Sequence, residues 1–237
     1  LTNRSLSFGR PTPPYHDGET GHNFAKDDPV VLVDKAGAPT GTFADGNEVT
    51  IDAQDFDIDY NDSSGNDLVL TRIASTWIWD GGGADDNWST GANWQGDPAT
   101  FAPDPTDGVQ FAGSTRLTPS NDVAALTLAD ITFAAGAGAF TLGGNALTLT
   151  SGVTNESANT QTVNMAITPG GDLAFSADAG PLTFGSAIND GDYTVTLDGA
   201  NATVFQGAFG GTNVGPGIAI TGAGTVEFQS TVDTDNG

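Results

Sequence analysis

The chain has 237 residues, 30 acidic against 6 basic, and a formal charge of -24. Such a surface repels nucleic acid and anionic lipid, so neither is expected as a partner. Cysteine is absent, which excludes disulfide staples, thiol catalysis and zinc–thiolate sites, and no run of about 18 apolar residues exists to cross a bilayer as a helix.

Residues 1 to 28 are polar and carry Pro11, Pro13 and Pro14. They are expected to be irregular and extended, and the opening Leu1-Thr2-Asn3-Arg4 reads as mid-sequence, so the whole is read as an internal piece of a longer protein. Val30 to Asp34, Glu48 to Ile51, Phe56 to Tyr60 and Leu68 to Thr71 follow as strands, with turns at Gly37, Gly46 and Gly65. Phe56, Ile58 and Tyr60 alternate with Asp57 and Asp59, which places the apolar side chains on one face. The four tryptophans, Trp77, Trp79, Trp88 and Trp94, sit in one stretch, W-I-W-D-G-G-G-A-D-D-N-W-S-T-G-A-N-W. A connector with Pro98, Pro103 and Pro105 leads to Val109-Gln110-Phe111.

From Leu126 the unit is apolar-x-apolar followed by small or polar residues. It reads Leu126-Thr127-Leu128, Ile131-Thr132-Phe133, Phe140-Thr141-Leu142, Leu147-Thr148-Leu149, Val163-Asn164-Met165, Leu173-Ala174-Phe175, Leu182-Thr183-Phe184, Val195-Thr196-Leu197, Ile218-Ala219-Ile220 and Val226-Glu227-Phe228. Each triplet points two side chains inward and one outward. Strands this short need stacking to bury a continuous stripe, which is the logic of a solenoid. The triplets recur at irregular intervals of roughly 7 to 20 residues, a degenerate repeat. The expected fold is all-β, with three parts. Residues 1–76 form a small irregular β module, 77–106 a tryptophan-rich junction or cap, and 107–237 a right-handed parallel β-helix. A β-sandwich is the alternative. Helical periodicity is missing.

Two segments carry a resemblance. G-T-F-A-D-G-N-E-V-T-I with F-D-I-D-Y-N-D-S-S-G-N-D-L-V-L-T, residues 41 to 71, is one; the tryptophan motif followed by D-G-V-Q-F-A-G and the L-x-L and L-x-F triplets is the other. Together they resemble bacterial secreted proteins with autotransporter-associated β-strand repeats. The resemblance is close over residues 65 to 112 and loose over 41 to 235. It implies a β-helical passenger or filament-like surface protein and implies no catalytic residues.

Trp77, Trp79, Trp88 and Trp94 have two readings: bulk that seals the first coil of a solenoid, or ring faces that stack on sugars. Asp80, Asp85, Asp86 and Asn87 in one loop, and Asn61, Asp62, Asn66 and Asp67 in another, offer the oxygens that calcium needs. Asn and Asp as turn formers explain the same residues without metal. The fragment G-N-D-L resembles half of a β-roll calcium nonapeptide, but not in tandem. His16 and His22, with Asp17 and Glu19, have transition-metal ligand types, but two histidines six apart in a Gly-containing loop are a pattern of low specificity, and a solvated polar loop accounts for them better.

No nucleophile elbow, zinc-protease or phosphate-loop motif occurs, and both histidines precede the repeats, so an enzyme is not expected. From Leu117 to Gly237 there is no Lys or Arg, which leaves no side-chain cation there to neutralise a uronate. The expected function is a structural or adhesive extracellular element of a bacterial cell surface, a rigid stalk or filament subunit able to self-associate head to tail. The alternative is a carbohydrate-binding module that takes polysaccharide on the tryptophan face. No cofactor beyond calcium is implied.

Overall fold

The computed structural model describes residues 30–34, 48–51, 54–59, 67–96, 98, 100–189, 191–210 and 217–233. It is nearly all β, and no α-helix occurs among these residues. Two compact units share the chain: Leu1–Asn47 with Ile58–Thr71, and Glu48–Asp57 with Arg72–Gly237.

Before the tryptophans come β1 (Val30–Asp34), β2 (Glu48–Ile51), β3 (Gln54–Asp59) and β4 (Asp67–Arg72), an antiparallel sheet of order β1-β4-β3-β2. β2 and β3 pair from Glu48↔Asp57 to Ile51↔Gln54. The alternation read from the sequence holds here, with Ile58 buried between exposed Asp57 and Asp59.

The rest is a parallel β-solenoid of about five turns. Its strands are β5 (Thr76–Trp79), β6 (Gly108–Phe111), β7 (Ser120–Asn121), β8 (Leu126–Phe133), β9 (Thr141–Gly144), β10 (Leu147–Asn155) and β11 (Gln161–Val163). They continue with β12 (Ile167–Pro169), β13 (Leu173–Ala177), β14 (Leu182–Phe184), β15 (Val195–Gly199), β16 (Thr203–Phe205), β17 (Phe209–Gly210), β18 (Ile218–Ile220), β19 (Val226–Phe228) and β20 (Val232–Asp233). All pair parallel, which rules out the antiparallel face-to-face sheets of a sandwich.

Three faces recur in each coil. On the first, Val109, Ile131, Val153, Phe175, Leu197 and Ile220 stack in steps of 22, 22, 22, 22 and 23 residues. On the second, Thr141, Thr162, Thr183, Val204 and Glu227 stack in steps of 21, 21, 21 and 23. On the third, Leu126, Leu147, Ile167, Ile188, Phe209 and Val232 follow in steps of 21, 20, 21, 21 and 23. The irregular spacing of the triplets is therefore three faces of unequal length inside one coil of nearly constant length. The repeat is more regular than the triplets suggest.

The residue types explain the faces. Apolar-x-apolar strands turn two side chains into a shared core, and full burial of each large one stabilises by roughly 1.5–3 kcal/mol. Phe111, Phe133, Phe140, Phe175, Phe184 and Phe205 are all essentially inaccessible. Polar residues enter the core where their hydrogen bonds close. The expected triplet Val163-Asn164-Met165 keeps its parity, with Val163 and Met165 buried and Asn164 exposed, but β11 itself starts earlier, at Gln161, which points inward and is fully buried. Its Oε1 accepts the Phe140 amide at 2.8 Å and its Nε2 donates to the Gly138 carbonyl at 2.8 Å, so an amide fills an inward position of the kind that apolar residues fill in neighbouring coils. Asn155 closes a corner likewise, donating to the Asn159 and Pro181 carbonyls and accepting from the Ser157 amide.

Candidate functional site

The solenoid has two different ends, and the tryptophan motif builds the first. The step from Trp77 to its partner Val109 is 32 residues, about ten more than later steps. The surplus folds back over the opening coil. Trp88 donates its amide to the Ser120 carbonyl, which joins the second face. The chain then makes a single 3-10 turn at Gly91–Asn93 and returns antiparallel to β5. Asp80 donates to the Asn93 carbonyl at 2.9 Å, and Gln95 to the Ile78 carbonyl at 2.7 Å. The edge of β5 away from β6 is thereby occupied, as an exposed sheet edge must be to avoid stray pairing.

Inside this return lies an aromatic plug. Trp79, Trp88 and Trp94 are wholly buried and Phe101 nearly so. Trp94 stacks on Phe101 at 4.2 Å and 10° and stands edge-on to Trp79 at 5.2 Å and to Trp88 at 6.0 Å. Such edge-to-face pairs add about 0.5–1.5 kcal/mol each beyond area burial. The Trp94 Nε1 donates to the Trp88 carbonyl at 2.7 Å. The Nε1 atoms of Trp79 and Trp88 have no oxygen or nitrogen acceptor; edge-on aromatic packing is the compensation available to them. Trp77, half-buried, donates to Asp107 Oδ2 at 3.3 Å. Asp107 is fully buried and also accepts the amides of Ser75 at 2.8 Å and Asp104 at 2.9 Å, so it ties the entry of the coil to its exit.

The polar letters of the motif hold the plug in place. Asn93, fully buried, donates to the carbonyls of Asp85 at 3.0 Å and Asn87 at 2.9 Å and accepts the Gly83 amide at 2.9 Å. Gly83 is required by this contact, because a Cβ there would lie 2.6 Å from Asn93 Oδ1. Asp80 accepts the Gly82 amide. Asp85 accepts the Thr90 hydroxyl at 2.8 Å and the Asn87 amide at 3.1 Å, and these bonds, the hydroxyl first, hold its carboxyl below the ordinary value. Asp86 pairs with Arg116 at 3.0 Å and takes the Thr118 hydroxyl. Burial alone would raise Asp122, but hydrogen bonds from the Ser89 hydroxyl and amide outweigh it and hold this carboxyl low as well.

These placements bear on each expected site. Trp79, Trp88 and Trp94 present no ring face to a sugar; stacking on them would require the plug to open. Asp80, Asp85 and Asp86 are turned to turn-capping and ion-pair partners, and Asn87 contributes its backbone to the second face. Among the described residues no group of three or more His, Asp or Glu converges. Asn61, Asp62 and Asn66 lie outside the described residues, as do His16, Asp17, Glu19 and His22; Asp67 begins β4. Reading the sequence alone missed Asn93 and Asp107, the two buried polar residues of the cap. The N-W pair that ends the motif was the available signal for Asn93.

β18, β19 and β20 are each last in their sheets among the described residues. Ile220 is 59% exposed and Val232 41%, whereas Leu197 and Phe209, one coil earlier in the same columns, are each 1% exposed. A depression between the last two coils, lined by Leu197, Gly199, Thr203 and Val226, has a volume of about 10 Å³, room for no more than a water molecule.

Comparison with family models, with curated proteins and with solved structures yields no match. No described helix is long and apolar enough to cross a membrane.

Proposed function

We propose that this chain is a rigid, non-enzymatic spacer, a stalk or filament segment of a bacterial extracellular or adhesive surface protein. The observation that supports it best is the stacking of parallel strands on two faces, continued on the third by short strands and single bridges, around one apolar core. A solenoid joins each coil only to its neighbours, so stiffness adds along the axis. The aromatic cap blocks invasion of the first coil, and the depression between the last two coils is too small for a substrate of ordinary size. The extracellular setting draws on the acidic, cysteine-free composition and on the resemblance to autotransporter-associated repeats.

Pulling one chain by its ends tests the mechanical reading. Coils should rupture one after another, the capped coil last, each releasing a contour of roughly 75 Å, since one coil of about 22 residues extends at about 3.4 Å per residue. Collapse in one low-force step would defeat it. Antibody labelling of intact producing cells tests the location: a signal only after lysis would remove the extracellular part.

A further inference from the structure

The coil nearly keeps its length, but its corners do not. Between the third face and the first, Leu126 and Ile131, Leu147 and Val153, Ile167 and Phe175, and Ile188 and Leu197 lie 5, 6, 8 and 9 positions apart. Between the first face and the second, Ile131 and Leu142, Val153 and Val163, Phe175 and Phe184, and Leu197 and Phe205 lie 11, 10, 9 and 8 apart. Chain length is thus handed, coil by coil, from one corner to the other. The inward columns keep their register throughout, so the transfer changes the surface and not the core. In a stacked repeat, residues added at one corner become loops on one side, and such loops are where a rigid scaffold commonly meets its ligand.

The growing corner carries an aromatic ring among polar acceptors. In the coil of Ile167 it holds Gly170, Gly171 and Asp172; in the next it holds Asn189, Gly191, Asp192, Tyr193 and Thr194, with Asp190 outside the described residues. The two loops are tied together. Asp172 Oδ1 accepts the Thr194 amide at 2.8 Å, and the Leu173 amide donates to the Thr194 carbonyl at 2.9 Å. Asn189 Oδ1 accepts the Gly191 amide at 3.1 Å, and Gly191 turns the chain at φ 56°. Tyr193 stands between these two anchors. At 37% it is the most exposed aromatic side chain among the described residues, and Asn189, Asp172 and Asp192 are exposed in the same two loops. No Lys or Arg occurs from Leu117 onward, so no side-chain cation of this stretch attends the ring.

We infer that this corner is a binding edge for a neutral polysaccharide, with Tyr193 as its stacking ring and Asp172, Asp192 and Asn189 as partners for sugar hydroxyls. A tyrosine face packs on the apolar face of a sugar ring, and a few placed polar groups fix its orientation. The acidic, cation-free surroundings repel uronate, sulfate and phosphate, so they select uncharged sugars by rejecting charged ones. The buried indoles of the cap offer no such face. This site deepens the adhesive part of the reading above and rests on it for its purpose. Binding by the purified chain is measured apart from pulling and from cell labelling, so either can fail alone.

Titration of the full chain with cellohexaose, mannohexaose and xylohexaose, all uncharged, and with the hexamer of galacturonic acid decides it. At least one neutral hexamer should bind at millimolar concentration, with little dependence on salt, and the galacturonate should not. Saturation transfer should reach the sugar from the Tyr193 ring, while tryptophan emission stays constant because the plug lies coils away. Tyr193→Ala should weaken binding roughly tenfold, the upper range for one stacked ring, with an unchanged melting curve, and Tyr193→Phe should retain it. No binding by any neutral hexamer would overturn the inference. So would galacturonate binding as well as the neutral sugars, a shift of tryptophan emission on binding, or affinity that ignores Tyr193→Ala. Should that variant fail to fold, saturation transfer on the parent chain still decides, since a silent Tyr193 ring rejects the site.

Discussion

The two ends of the solenoid face the same problem and handle it differently. At the cap, about ten surplus residues, three buried indoles and two buried polar side chains close the first coil. In the last described coil, columns of the same pitch hold Ile220, Phe228 and Val232 partly in water. The comparison teaches that the coil repeat does not itself specify an end. Closing the first coil takes residues outside the repeat, because a bare strand edge invites pairing with another chain.

Substitutions at matched places should measure the difference. Trp79→Ala should cost about 3–5 kcal/mol by emptying the plug, whereas Ile220→Ala, at a side chain more than half exposed, should cost under about 1 kcal/mol. Chemical denaturation of dilute protein reads both, and equal losses would mean that the last described coil is held as firmly as the cap. Asn93→Ala strands two carbonyls and an amide inside the cap and should cost about 1–3 kcal/mol. Hydrogen exchange should then report opening that starts at residues 83–94 instead of at the far end.

Smaller effects sharpen the picture along the body. Ala125 adopts a left-handed backbone, φ 52°, at the turn into β8. Replacing it with glycine removes that strain at the expense of chain entropy, for a net gain of about 0.5 kcal/mol in the melting analysis. Asp130 on the first face is partly buried, its carboxylate lying over Gly108, and desolvation raises its carboxyl above the ordinary value, with the Thr132 hydroxyl opposing. Its folded form therefore holds the proton more tightly than the unfolded form. Ionised Asp130 lowers stability at neutral pH, and the penalty fades as pH falls through the raised value. Asp130→Asn should accordingly stabilise by about 0.5 kcal/mol at neutral pH and by nothing in acid. Asp85 and Asp122 run the other way: their depressed carboxyls contribute stability above the ordinary value of 3.8, lost as pH falls through the lower folded values. Asp122→Asn should therefore flatten the acid limb of a stability–pH curve.

Much of this was legible in the residues. Alternation at Phe56 to Asp59 and the apolar-x-apolar series announced strands, because side-chain parity is a local property of extended backbone. The clustering of four tryptophans at a change of composition marked the cap. The coil length was harder to see. Faces such as the third shrink to single apolar residues at Ile188, and Gln161 hides an inward position behind a polar letter. Burial of a polar side chain depends on partners 21 to 23 residues away, which no local pattern contains.

By itself, then, the sequence determined strand content and the inward-outward parity of the triplets and marked the tryptophan segment as distinct in composition, since each follows from short-range pattern; the choice of parallel stacking over a sandwich came from the pairing. Tertiary structure alone decided which edge is closed. Whether an indole is a binding face or a plug depends on what folds over it, and here Trp94 returns along β5, Asn93 fixes that return, and Asp107 locks the coil beneath. The same rule holds for any strand, because an edge is defined by its neighbour and not by its own residues.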